Sequence, residues 1–129
     1  KFAKLKKKLL IVKDQYGSPT STDLVISVLE KILLKIKKNK FQSGIFNLCP
    51  SLNTNRYDLS KYILRNYFDK TFYKKLQLTK IITKDLNLVA LRPLNSRMEI
   101  YKISSFLNIK IKNWKYYLKK YLNYIKRNR

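Results

Sequence analysis

The tightest constraint on this chain is an alternation. Short apolar runs take turns with longer stretches whose apolar residues recur at helical spacing, the order that produces α/β layering. Residues 9–13 (Leu9, Leu10, Ile11, Val12, Lys13) read as a buried strand. Residues 14–19 supply a turn in which Gly17 can take a positive φ and Pro19 delays the next helix. Ser21, Thr22 and Asp23 offer N-caps. Behind them Leu24, Val25, Val28, Leu29, Ile32, Leu33 and Ile36 predict an amphipathic helix of about four turns, with Lys31, Lys35 and Lys38 toward its polar side. Residues 37–43 read as a loop, 44–48 as a second short strand and 50–55 as a polar turn. Tyr57, Leu59, Tyr62, Ile63 and Phe68 predict a helix over about 56–68. A weak third strand at 79–84, an irregular segment at 85–96 and helices at about 97–107 and 113–126 complete the pattern. Two or three strands make a poor free-standing sheet. The expectation is one partial unit, 1–129, that completes a sheet or cleft supplied by another domain. Lys1 in place of Met fits a chain cut from something longer.

Composition removes much catalytic chemistry. There is no His and a single Cys, Cys49, so no His/Cys metal site, disulfide framework or Ser-His-Asp triad can be built. Gly17 and Gly44 are the only glycines, which excludes a glycine-rich phosphate loop within these residues. No apolar run approaches the length of a membrane span.

The charge is large: 30 Lys+Arg against 7 Asp+Glu, a formal net charge of +23. It would ordinarily point to a polyanion. Yet Lys (24), Leu (20), Ile (13), Asn (11) and Tyr (10) dominate while Arg (6), Ala (2) and Gly (2) are scarce, the pattern of A/T-rich codons. Selection for phosphate binding gives no reason to suppress Arg, the better bidentate ligand. Most of the charge therefore reads as codon bias on solvated surface.

The string Asp14-Gln15-Tyr16-Gly17-Ser18-Pro19-Thr20-Ser21-Thr22-Asp23-Leu24 resembles the DQxGxPTxxxDLA segment of dTDP-4-dehydrorhamnose reductases, members of the extended short-chain dehydrogenase/reductase superfamily. Gly44-Ile45-Phe46-Asn47 is similar to that family's GxYH, and Tyr57-Asp58-Leu59-Ser60 to its WYEFA helix start. Ala90-Leu91-Arg92-Pro93-Leu94-Asn95-Ser96-Arg97-Met98 with Lys102 matches A-x-R-P-x-N-S-x-L…K, and Leu107-Asn108-Ile109 with Trp114 is similar to FGI…W. The ordered blocks span about residues 9–122. The sequence departs from the pattern at Asn47 for His, Arg56 for Trp and Asn108 for Gly.

The resemblance implies an α/β fold: the C-terminal substrate-binding lobe of a Rossmann-fold reductase, with the Rossmann half largely missing. It implies reduction of dTDP-4-dehydro-L-rhamnose to dTDP-L-rhamnose with NADPH or NADH. That cofactor and a catalytic Tyr-x-x-x-Lys would sit in the missing N-terminal part. Tyr57/Lys61 and Tyr116/Lys120 have the same spacing, but this composition yields about two such pairs by chance. They also lie downstream of the first substrate-lobe motif, so no catalytic residue is assigned. By the same resemblance Arg92 reaches the diphosphate, with Asn95 beside it, and Gln15 and Tyr16 contact the sugar nucleotide. Thr20 reads as a capping residue, Asp14 as a turn acceptor, Cys49 as an inert half-buried thiol, and Met98 and Trp114 as core.

A dTDP-sugar is the expected partner, a homodimer is allowed, and Mg²⁺ between subunits would have to use some of the seven carboxylates. Neither nucleic acid nor a membrane is expected, and the cytoplasm is the expected location. Two other readings remain open: a regulatory homologue of the methionine adenosyltransferase β-subunit type, and a basic nucleic-acid-binding module. The second is motivated by the charge and by Lys115, Lys119, Lys120, Lys126, Arg127 and Arg129 near the C-terminus.

Overall fold

In the computed structural model, residues 8–40, 42–86 and 89–128 are described; Arg129 lies outside them. The elements in chain order are β1 (Lys8–Val12), β2 (Tyr16–Gly17), α1 (Thr22–Lys37), β3 (Thr54–Asn55), α2 (Arg56–Tyr67), α3 (Lys70–Lys75), β4 (Gln77–Ile81), α4 (Tyr101–Leu107) and α5 (Trp114–Arg127). Strands β1 and β4 pair in parallel, Lys8 opposite Gln77 and Val12 opposite Ile81; β2 and β3 form a second, antiparallel pair. Short strands between helices confirm the α/β class.

Helix α1 starts where Ser21 accepts the backbone N–H of Leu24. Leu24 and Val28, one helical turn apart, are buried and meet Ile103, Leu107 and Ile111 in the main core cluster. Ile32, Phe46, Leu48 and Tyr117 pack around it. Val12 of β1, Leu64 of α2 and Trp114 and Leu122 of α5 are buried as well, and α2 packs against both β1 and α5. The Trp114 and Tyr62 rings meet edge-on at 5.2 Å. Trp114 is therefore core, as its helical pattern indicates.

Several expectations need correction. Residues 44–48 form no strand. They are held instead by Lys102, whose Nζ donates to the Ile45 carbonyl at 2.9 Å and lies over the Phe46 ring, and by Phe46 against Phe106. Strand β1 is only partly buried, and Leu10 is 60% exposed, because a two-stranded ladder leaves its faces open. Gly17 does not take a positive φ; it pairs with Thr54 in extended backbone. The fourth helix begins at Tyr101 rather than 97, since Glu99 Oε1 takes the N–H groups of Ile100 and Tyr101 and Asn95 takes that of Arg97. Met98 is 45% exposed, not core, because it falls on that non-helical stretch. Lys35 is drawn off the polar side, its Nζ 4.8 Å from the centroid of the Phe106 ring.

Candidate functional site

The site grows from the end of β1. Past Val12 the chain leaves the ladder, and Asp14 and Gln15 are both fixed by Thr83, just beyond β4. The Asp14 carboxylate accepts the Thr83 backbone N–H at 3.0 Å and its hydroxyl at 2.8 Å, while Gln15 Nε2 donates to the same hydroxyl oxygen at 3.1 Å. The donated N–H holds the Asp14 carboxyl below its ordinary range. Asp14 thus accepts across the sheet, not within its own turn as the sequence suggested.

Tyr16 then stands between two segments. On one side it pairs with Asn55 of β3. On the other its N–H donates to the Leu94 carbonyl (2.8 Å) and its carbonyl accepts from Ser96 N–H (2.9 Å), bridging to Asn95. The stretch 93–96 is so laid alongside β2, with Pro93 barring helix there. Arg97 caps the arrangement: its guanidinium lies 5.6 Å from the Tyr16 ring centroid, and its Nε donates to Asn95 Oδ1 at 2.8 Å.

Between these pieces and the start of α2 lies a cleft of about 860 Å³. Gln15, Tyr16, Arg56, Arg92, Pro93 and Ser96 are among its lining residues, beside apolar wall from β1. Three of the four residues singled out from the sequence, Arg92, Gln15 and Tyr16, line it together. Asn95 does not, because its side-chain oxygen is occupied by Arg97. Gln15 is only 8% exposed, and one N–H of its amide is committed to Thr83, which leaves a wall residue with its carbonyl oxygen and a second N–H to offer. Thr20 donates to the Ser18 carbonyl, and the cap of α1 is Ser21. Arg56 was not chosen as a site residue from the sequence. The signal available there was the scarcity of Arg against Lys.

Among the described residues no carboxylate lines this cleft, so the formal charge of that lining is positive. An acid-free cleft at the carboxyl end of a strand pair, apolar on one wall and bearing guanidinium groups, suits an organic anion.

The Tyr/Lys pairs sit elsewhere. Lys80, not Lys61, lies over the Tyr57 ring at 4.9 Å, and Lys120 is paired with Asp23 at 2.6 Å, which raises its pKa. That ion pair borders a second groove, of about 710 Å³, between the start of α1 and the Trp114, Tyr117 and Tyr121 side of α5; burial pushes the Tyr117 hydroxyl pKa up. Cys49 is fully buried, not half-buried, with its thiol 3.8 Å from the Met98 carbonyl. Among the described residues no three His, Cys, Asp or Glu side chains gather as metal ligands. Nor is any described helix long and apolar enough to cross a membrane.

Parallel strands that end at a cleft, backed by helices, define an α/β lobe of the kind that binds ligands at its strand ends. Comparison with known proteins makes this specific. The model of the RmlD substrate binding domain matches residues 1–127, and the chain belongs to that family. It is 28% identical over 108 residues to a dTDP-4-dehydrorhamnose reductase of Sinorhizobium fredii, a match covering 82% of this chain and 36% of that protein. Among solved structures, a dTDP-4-dehydrorhamnose reductase of Clostridium acetobutylicum superposes with a TM-score of 0.74 at 26% identity, over 97% of this chain and 41% of that one. The Bacillus anthracis enzyme, solved with NADP, shares the fold with a TM-score of 0.66 at 19% identity, over 92% and 39%. The chain therefore spans about two fifths of the length of these relatives.

Proposed function

We propose that this chain is the nucleotide-sugar-binding part of a dTDP-4-dehydrorhamnose reductase, which reduces dTDP-4-dehydro-L-rhamnose with a nicotinamide cofactor. The observation that carries this reading is the placement of Arg92, Tyr16 and Gln15 around one acid-free cleft. In it the Arg92 guanidinium meets the diphosphate oxygens as a bidentate donor. Tyr16 offers a ring face to the nucleoside or the sugar, and Asn95 acts through Arg97 instead of touching the ligand.

The nicotinamide cofactor does not fit the residues present. A dinucleotide's pyrophosphate needs closely approaching backbone at a glycine-rich turn, and Gly17 and Gly44 lie far apart in the sequence, Gly17 within a strand. We assign NADPH or NADH, and the acid–base chemistry of reduction, to the part of the relatives' length that this chain does not span.

The test is loss of NADPH absorbance on mixing dTDP-4-dehydro-L-rhamnose with the longest translation product of the gene. Turnover that falls at least tenfold in Arg92→Gln, chiefly as a raised KM, supports the reading. Turnover indifferent to Arg92 overturns this use of the cleft, and a product that binds the sugar nucleotide without oxidising NADPH moves the protein to a regulatory role.

A further inference from the structure

Among the described residues Arg56 and Arg92 are the cationic side chains that line this cleft, and no Lys lines it. In a chain with 24 Lys and 6 Arg, two cations drawn at random would both be Arg only about once in thirty draws. Two of the six arginines of this Lys-rich chain thus line one cleft. Neither the Arg56 nor the Arg92 guanidinium has a hydrogen-bonding or ion-pairing partner among the described residues. Arg97, on the rim, is by contrast tied to Asn95 and Tyr16. Arg56 is also the first residue of α2, a helix of 12 residues, so its charge adds to the positive end of the helix dipole. The cap is already served by Asn55, which accepts the Asp58 N–H at 2.8 Å. That leaves the Arg56 guanidinium with no structural task in the helix.

We infer that Arg56 is a second phosphate-binding residue of this cleft, paired in function with Arg92, so that the site selects a nucleoside diphosphate over a monophosphate. This rests on the nucleotide-sugar reading above and adds a ligand residue to it. One guanidinium can serve a single phosphoryl group bidentately; a diphosphate presents two, and two unpaired guanidinium groups in one acid-free cleft match it.

The experiment is calorimetric titration of the longest translation product of the gene with dTDP and, separately, with dTMP. Arg56→Gln and Arg56→Lys are the test variants, Arg92→Gln the reference, and Lys61→Gln an α2 control outside the cleft. Arg56→Gln is expected to weaken dTDP at least tenfold and dTMP far less, so that the preference for the diphosphate collapses. Arg56→Lys, which keeps the charge and the helix, should recover only part of the affinity, and Lys61→Gln should stay within twofold of the parent. Arg56→Gln matching Lys61→Gln, while Arg92→Gln loses binding, overturns the inference and leaves the reading of the cleft standing. A parent chain that binds no dTDP overturns both.

Discussion

The carboxylate of Asp14 receives both the backbone N–H and the hydroxyl of Thr83 from 69 positions along the chain. It joins the ends of β1 and β4, and the same hydroxyl oxygen accepts from Gln15. Gln15, which lines the cleft, is thus positioned by a three-residue relay in which one threonine serves two neighbours.

The relay makes stability depend on pH. The folded Asp14 pKa lies below its ordinary value of about 3.9, so its contribution is full above that value and is lost as pH falls through the folded pKa. Asp14→Asn should therefore lower the urea midpoint at pH 7, and the gap from the parent should close as the pH drops below about 4. Urea titrations at both pH values check this. A gap of equal size at both would show that the carboxylate charge is not what Thr83 reads.

Ile103 is 1% exposed at the centre of the cluster with Leu24, Val28, Leu107 and Ile111. Truncating it removes buried methyl groups and leaves a cavity between α1 and α4. Ile103→Ala should cost about 2–4 kcal/mol in chemical denaturation, whereas Ile103→Val should cost about 1 kcal/mol.

Asn108 closes α4 with φ 50° and ψ 54°, in the left-handed region. Only Gly and, less readily, Asn adopt it cheaply, which accounts for an Asn where the family pattern has Gly. Asn108→Gly should leave the melting temperature unchanged or raise it slightly, and Asn108→Val should destabilise by about 1–2 kcal/mol. Equal effects of the two would contradict the left-handed cap.

Cys49 is buried. A thiol reagent such as dithionitrobenzoate should leave it unmodified in the folded chain and titrate one thiol per chain in denaturant. Reaction at the native rate of a free thiol would place it at the surface.

Much of the architecture is legible in the sequence because it rests on periodicity. Leu24, Val28 and Ile32 announce α1, and Trp114 and Leu122 announce the buried side of α5. What escapes is set by partners rather than pattern. Residues 44–48 have strand composition and no ladder, while Tyr16–Gly17 and Thr54–Asn55 pair over only two residues each. Helix α3, six residues capped by Asp69, is too short to show a period. At the cleft, Arg92 and Tyr16 stand out through a resemblance. The tether between Asn95 and Arg97 is two residues apart in sequence but depends on a rotamer, and the meeting of Arg56 with Arg92 depends on how α2 packs beside β1.

The most direct measurement is an amide-resolved NMR titration of the chain with dTDP-L-rhamnose. The account predicts shifts concentrated at Gln15–Ser18, Arg56 and Arg92–Ser96, with α5 beyond Trp114 unmoved. Shifts that instead follow the exposed lysines of α5, or no shifts at millimolar ligand, would contradict it.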